Sequence, residues 1–464
     1  MQKRYSVSFY TLGCRLNQAE TAILRETFHE QGYEIREFGE QTDFCVINTC
    51  SVTGPSEARC RQMIRNVLRQ HPETFLIVVG CYAQVGLEAI KALPGVDLIV
   101  GIDQKFETTK YLSSLVSSNG TPLKKRSEPL IIHSEQVSHG DFTIDFVGNF
   151  VDHTRANLKI QDGCNFFCSY CIVPYARGRN RSREFEDIRK EALQLATRGH
   201  QEVVVTGVNI GTYAYQGKTL LDVLKMLEDI DGFQRIRMTS IEPMTIPNGI
   251  IEYMAASRKL CRFFHIPLQS GDNTILQRMN RRYTREEFAD FVLKLAETIP
   301  DVSIGTDIIV GFPGEGEAEF EHSRQLLEGL PLMYAHVFSF SPRKRTRSAK
   351  FPDRVHPKTI RQRSQALRRL SAEKRRTFYT KYLGKSVSVL FERREQNGLF
   401  TGYTGNYIKV GVSTEENLSN RFRNVVITEI VGKIAIGKLD RFSGNPDKKY
   451  NAGLRSAFTT DLSA

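Results

Sequence analysis

Residues Asp162–Arg183 read DGCNFFCSYCIVPYARGRNRSR. Cys164, Cys168 and Cys171 stand in a C-x3-C-x2-C spacing, and Arg177, Arg179, Arg181 and Arg183 follow at alternate positions. Three thiols within eight residues suit a loop that curls around one inorganic centre. A structural zinc site takes four protein ligands, and ferredoxin-type iron–sulfur clusters also take four thiolates. No fourth cysteine or histidine follows within the next 28 residues, since His200 lies 29 beyond Cys171. Three ligands on a four-iron centre leave one iron open to a small molecule. The loop comes directly after the apolar run RANLKI (155–160). In α/β barrels the chemistry sits on loops at the carboxyl ends of strands.

Outward from that loop, strand-like runs alternate with helical ones. RANLKI, EVVVTGV, RIRMTS, CRFFHIPL, VSIGTDIIVGF and MYAHVFSF are the strand candidates. Between them, segments such as FEDIRKEALQLATRG and TREEFADFVLKLAETI carry apolar residues at helical spacing. Six such units in residues 150–342 predict a partial, open (β/α)6 barrel, because eight units need more chain. In residues 1–116, YSVSFY, FCVINTC, FLIVVGC and DLIV alternate with helical stretches, which predicts a parallel α/β sheet buried on both faces. Residues 117–149 are polar and mixed and read as a linker. Residues 343–382 read as a basic helical connection. Short strands in residues 383–442 predict a small β-barrel that offers a nucleic-acid surface, and 443–464 read as a tail.

At 464 residues the chain exceeds one ordinary core, so several domains are expected. Hydrophobic content of 40% and charged content of 25% describe a soluble globular protein. No run of 18 apolar residues occurs, so no membrane span is expected. MQKRYSVSFYTLGC lacks the features of a signal peptide, and a cytoplasmic location is expected. There, nine cysteines favour metal ligation or burial over disulfides. A formal charge of +12 favours a polyanionic partner. From Arg343 to Arg376, 14 Lys and Arg stand against Asp353 and Glu373, and elsewhere bases and acids balance. Arg343, Lys344, Arg345 and the helix after them are therefore candidates for contacting phosphates.

With Tyr170 before the third cysteine, the C-x3-C-x2-C loop resembles the signature of the radical S-adenosylmethionine enzymes. The resemblance implies a 4Fe-4S cluster on Cys164, Cys168 and Cys171. It implies an open iron that chelates S-adenosyl-L-methionine, and reductive cleavage to a 5′-deoxyadenosyl radical. It also implies cofactor contacts at Tyr170, at Gly207 and Asn209 in TGVNIG, at Glu242 in TSIEP and at Asp307 in DIIVGFPGE. The stretch HIPLQSGD, His265–Asp272, is expected to wall the active site without a catalytic role.

TLGCRLNQ, VINTCSVT and VVGCYAQ place Cys14, Cys50 and Cys81 at the ends of three apparent strands. A parallel sheet aligns such ends along one edge, so the three sulfurs either converge or are simply buried. Asn17 and Asn48 are placed to orient these loops. Cys45, Cys60 and Cys261 lack this placement and are expected to be buried. NQAE, NTCSVT, GCYAQ, GCNFFCSYCIVPYARGR and PLQSG together resemble the methylthiotransferases of the same superfamily, over about Tyr5–Arg441. That resemblance implies a second 4Fe-4S cluster on Cys14, Cys50 and Cys81, a TRAM-like RNA-gripping β-barrel, a reducing electron donor and a monomer. The implied reaction replaces an unactivated C–H bond by C–S–CH3.

Among methylthiotransferases, QDGCNFFCSYCIVPYARGR is most similar to those acting on N6-threonylcarbamoyladenosine beside the tRNA anticodon. The alternatives are isopentenyladenosine in tRNA, a ribosomal-protein aspartate, or a non-catalytic Fe–S RNA-binding protein. Arg177, Arg179, Arg181 and Arg183 are expected to meet phosphates of the anticodon stem-loop, with a helix start at Glu184–Asp187 as the competing reading of that border.

Overall fold

The computed structural model describes residues 4–115, 125–145, 148 and 154–440. The expected tail and parts of the expected linker lie outside these residues.

The first domain runs through β1 (Ser6–Thr11), α1 (Arg15–Glu30), β2 (Glu34–Ile35), β3 (Phe44–Thr49), α2 (Gly54–Gln70), β4 (Phe75–Gly80), α3 (Cys81–Val85), α4 (Leu87–Lys91), β5 (Leu98–Val100), α5 (Thr108–Leu115) and β6 (Leu130–Ile132). Its sheet has the order β2-β1-β3-β4-β5-β6, with every pairing parallel. Every residue of β3 and β4 is buried, as expected when helices cover both faces. One expectation is corrected here. The 117–149 segment is not wholly an irregular linker, because its apolar triplet Leu130–Ile132 pairs with β5 and extends the sheet.

The second domain begins with β7 (Arg155–Lys159), β8 (Gln161–Asp162), α6 (Val173–Arg177), β9 (Arg181–Ser182), α7 (Phe185–Thr197) and β10 (Glu202–Thr206). The short hairpin β11 (Ala214–Tyr215) and β12 (Lys218–Thr219) leads to α8 (Leu220–Glu228), β13 (Arg235–Met238), α9 (Ile250–Ala256) and β14 (Phe263–His265). The domain closes with α10 (Asn273–Arg278), α11 (Arg285–Thr298), β15 (Ser303–Val310), α12 (Glu317–Gly329) and β16 (Tyr334–Ser339). The six expected strands form two parallel halves, β13-β10-β7 and β14-β15-β16, joined by the Ile236–Leu260 bridge. No pairing joins β7 to β16 among the described residues, so the barrel is open along one side. Side chains alternate across each strand. Leu158, Val203, Val205, Ile236, Phe264 and Ile304 belong to the core packed under the helices. Their neighbours Asn157, Lys159, Arg237, His265 and Gly305 face the lumen.

After the barrel, α13 (Pro357–Thr380) packs along β16, with Leu367, Ser371 and Tyr379 buried. Arg361, Arg368, Arg369 and Arg376 stay exposed, and their spacing puts them along one face. The third domain is a closed barrel of β17 (Ser386–Arg394), β18 (Phe400–Thr404), β19 (Lys409–Val412), β20 (Phe422–Val431) and β21 (Ile434–Leu439). It docks under the second domain, across the amino ends of its strands. Arg235 donates to the Tyr403 and Ser388 carbonyls, Arg237 to those of Thr404 and Gly405, and the Ser303 hydroxyl to that of Asn406. Tyr407 stacks on lumen-facing Phe263 with centroids 4.5 Å apart. No helix among the described residues is long and apolar enough to cross a membrane.

Arg237 and Glu202 form a fully buried ion pair on this floor, at 2.7 Å. Burial alone would raise the Glu202 carboxyl, but Arg237 and Arg155 outweigh it and hold it at about 2, against a usual 4.5. A depressed carboxyl pKa gives stability that is fully present above about pH 4.5 and lost as pH falls toward 2. Glu202→Gln is expected to flatten this part of the acid limb, measured by denaturant unfolding between neutral pH and about pH 3. An acid limb of unchanged steepness would count against the pair.

Candidate active site

The Cys164–Cys171 loop leaves the carboxyl end of β7 and is pinned on both sides. The β8–β9 pairing closes its base, the Cys164 N–H donates to the Gly178 carbonyl (3.1 Å), and the Ser169 N–H donates to the Met279 carbonyl (2.9 Å). Cys164, Cys168 and Cys171 lie close together: Cys168 bears on the ionisation of the other two, and Cys164 on that of Cys171. Burial pushes the Cys164 thiol up to about 11 and the Cys171 thiol higher still. Buried thiols of this kind become thiolates only against positive charge. One cation is already in place. Arg281 Nη1 donates to Cys168 Sγ at 3.3 Å, and the same guanidinium is held by the Glu242 carboxylate and the Tyr283 hydroxyl.

The second trio forms at the carboxyl edge of the first domain's sheet. Gly13 and Gly80, each preceding a cysteine, have φ of +115° and +96°. A Cβ on Gly13 would lie 2.8 Å from the Cys50 Cβ, and one on Gly80 would lie 2.3 Å from Asn48 Oδ1. Glycine at these points lets the three strand ends close together. Asn17 donates to the Leu12 and Thr49 carbonyls, while Asn48 donates to the Asn17 carbonyl, so both asparagines fasten the loops as expected. Burial pushes the Cys50 thiol up to about 12 and also raises Cys81. Here the cation is Arg177, whose Nε donates to Cys81 Sγ at 3.2 Å. Its Nη atoms meet Glu20, Asp162 and Asn17, in a buried cluster that also holds Lys105 and Lys159. Cys60 is buried behind Cys50, its sulfur 3.4 Å from both the Cys50 nitrogen and carbonyl oxygen. Cys45 and Cys261 are buried as well.

The two trios meet at one domain junction. Helix α6 begins two residues after Cys171 and packs on α3, which begins at Cys81. Ala176 joins Cys81, Ile102 and Val137 in a small apolar cluster. A turn and a half of helix, on the order of 8 Å, thus links one sulfur trio to the arginine serving the other. Arg343 reinforces the junction by pairing with Glu57 and donating to the Ser51 hydroxyl beside Cys50. The donor sets fit iron–sulfur centres: each offers three convergent sulfurs and one buried arginine that offsets thiolate charge.

The remaining expected site residues fall into distinct places. Gln161, overlooked in the sequence, accepts from the Val208 and Asn209 N–H groups (2.9 Å each) and donates to the Gly163 carbonyl, fastening the Gly207 turn to the cysteine loop. Asn209 accepts from the Thr245 hydroxyl, while its buried Nδ2 has no partner among the described residues, leaving a donor for a bound ligand. Glu242 lines a cleft with Phe166, Cys168 and Arg281. Tyr170 packs edge-on against Phe312, with centroids 6.5 Å apart. Asp307 pairs with His265 at 3.0 Å. The position of Gln161 next to the DGC motif was a usable signal. Arg281, more than a hundred residues downstream of Cys168, had none.

The arginine expectations need correction. Arg177 is buried and saturated by carboxylates, so it faces the second trio and not an RNA phosphate. Arg183 is also buried, held by Asp187 and Glu191 of α7. Arg181 is largely buried against Asp103, and Arg343 is an interdomain contact. Arg179, Lys344 and Arg345 are exposed.

Comparisons with known proteins agree with this geometry. The Radical SAM superfamily profile matches residues 158–327, and that of Uncharacterized protein family UPF0004 matches residues 6–101. Threonylcarbamoyladenosine tRNA methylthiotransferase MtaB of Bacillus subtilis is 37% identical over 91% of this chain and 93% of its own length. The protein of the same name from Aquifex aeolicus is 36% identical over 87% and 96%. A tRNA-2-methylthio-N(6)-dimethylallyladenosine synthase of Clostridium botulinum is 33% identical over 92% of both chains. The fold alone is shared with the radical S-adenosylmethionine methyltransferase TsrM from Kitasatospora setae, at a TM-score of 0.51 and 14% identity over 72% of this chain and 73% of that one. Near-full-length identity to such enzymes, on a chain whose two cysteine trios converge at one junction, places this protein in the radical S-adenosylmethionine methylthiotransferase family.

Proposed function

We propose that this protein converts N6-threonylcarbamoyladenosine, next to the anticodon of tRNA, to its 2-methylthio derivative. The observation that carries the reading is the meeting of two cysteine trios across one junction, each with a single buried arginine on one sulfur. When bound, the iron–sulfur centre on Cys164, Cys168 and Cys171 with S-adenosyl-L-methionine supplies a hydrogen-abstracting radical, and that on Cys14, Cys50 and Cys81 supplies a seat for the transferred sulfur. The chain's own part is positional. Arg281 and Arg177 hold positive charge against the sulfurs, Gln161 fixes the turn before Asn209, and α6 keeps the two trios in register. Arg179, Lys344, Arg345 and the exposed arginine stripe of α13 supply phosphate contacts. A reducing electron donor and a monomeric enzyme belong to the same reading.

The threonylcarbamoyl substrate is preferred over the dimethylallyl one because the relatives at 36–37% identity carry the former name. The test is mass spectrometry of tRNA nucleosides from a deletion strain with no redundant enzyme. Loss of 2-methylthio-N6-threonylcarbamoyladenosine with accumulation of its precursor is expected. Its full retention would overturn the substrate.

A further inference from the structure

The lumen of the open barrel holds a polar group of side chains that neither trio uses. On β15 and β16, Asp307 pairs in register with His336 and Gly305 with Tyr334, while His265 of β14 pairs with Gly305. All four side chains therefore point to one face. Gly305 leaves room for the Tyr334 ring, because a Cβ there would lie 2.3 Å from Tyr334 Cζ. His265 is fixed at both nitrogens, by Asp307 Oδ1 at 3.0 Å and by the Tyr334 hydroxyl at 3.0 Å. That double engagement favours a hydrogen-bonding relay over a metal site, although the ligand atoms of His265, Asp307 and His336 lie within 4.8 Å of one another. The His336 ring stands 4.8 Å from that of Tyr334 and makes no hydrogen bond among the described residues.

Arg15 enters the same space from the first domain. It follows Cys14 directly, and its Nη2 donates to the Tyr407 hydroxyl at 2.8 Å. Tyr407 stacks on Phe263, two residues before His265 on the same face of β14. Arg15 is near enough to Tyr334 to bear on its phenol. Its other guanidinium donors have no hydrogen-bond partner among the described residues. Asn157, only 4% exposed, on the lumen side of β7, and Thr239, just beyond β13, each carry a buried oxygen with no partner among the described residues. The rim is basic: Arg375 lies 5.3 Å over the Tyr334 ring, and Lys433 acts on His336 from the third domain.

We propose that Arg15, His336 and the His265–Asp307 pair form the subsite that reads a polar, carboxylate-bearing substituent on N6 of the target adenosine. The free guanidinium donors of Arg15 match a carboxylate. The Asp307 carboxylate and the His336 imidazole match a hydroxyl and a ureido N–H. A branched hydrocarbon on N6 would leave these groups desolvated and unpaired. This rests on the threonylcarbamoyl reading above, and it names the residues that enforce it.

The test uses reconstituted full-length enzyme and three synthetic anticodon stem-loops, carrying N6-threonylcarbamoyladenosine, N6-dimethylallyladenosine or adenosine. Wild type is expected to bind the first about 10- to 100-fold more tightly than the other two. Arg15→Gln and His336→Leu are each expected to shrink that ratio toward one, with Arg15→Lys restoring part of it. In both variants, an unchanged ratio, whether all three affinities fall together or none changes, would overturn the subsite. Turnover of the first RNA by wild type separates the two ideas. If it is methylthiolated while the variants keep the ratio, only the subsite fails; if it is not methylthiolated, the substrate reading fails and the subsite with it.

Discussion

Cys168→Ala enzyme, reconstituted without oxygen, is expected to release no 5′-deoxyadenosine from S-adenosyl-L-methionine under reducing conditions. Cys50→Ala enzyme is expected to keep part of that release and to form no methylthio product. The contrast follows from the separation of the trios. Cys168 receives the Arg281 donor, and its loop is pinned by Met279 and Gly178, all within the second domain. Cys50 directly follows β3 in the first domain, and its neighbour Ser51 meets Arg343 beyond the barrel. Removing one ligand of three should therefore empty one centre and spare the other, which iron content and the two product assays report separately. Equal loss of both products in Cys50→Ala would show that the trios do not act as two sites. Methylthio product from either variant would remove that cysteine from the assignment.

Arg177→Leu is expected to destabilise the protein by about 3–5 kcal/mol, since it breaks a buried ion cluster by removing one partner. The charges explain why iron should be lost too. Arg177, Lys105 and Lys159 face Glu20 and Asp162, so the cluster has one cation in excess. That excess lies 3.2 Å from Cys81 Sγ, where a metal-bound thiolate carries the matching negative charge. With leucine there, the carboxylates and lysines balance each other and the thiolate has no counter-ion, while Asn17 Oδ1 loses its guanidinium donor. Denaturant unfolding and iron retention at the first domain's trio are the measurements. Arg177→Lys is expected to recover charge without the forked hydrogen bonds, giving an intermediate result. Wild-type iron retention in Arg177→Leu would refute the counter-ion role.

Much of this architecture is legible in the chain itself. The apolar runs of FCVINT and FLIVVG announce buried parallel strands, and the six strands of the barrel stand where their apolar runs suggest. All six candidate ligand cysteines sit at strand ends or in one loop, so local pattern plus topology brings each trio together. Arginine was harder to read, because its exposure depends on partners distant in sequence. Arg177 meets Glu20 across 157 residues and Arg343 meets Glu57 across 286, and no local spacing reveals either contact. The run of arginines after Cys171 suggests one phosphate surface, but Arg177 at the end of α6 turns in to Glu20 and Asp162 and Arg183 to Asp187 and Glu191, while Arg179 between them is exposed. The triplet LII was obscured by its polar surroundings, since three residues make too short a run to stand out.

The floor of the radical barrel has a consequence for how the chain is made. Tyr407, which seals that floor, leaves the ribosome long after the strands it covers, and its partner Arg15 waits through 392 residues of synthesis. Until the third domain emerges, the ion pair of Glu202 with Arg237 and the ring of Phe263 remain open to water from below. A nascent chain at that stage would thus hold all six candidate ligand cysteines without a finished chamber around them. Catalytic competence waits for the third domain to be made.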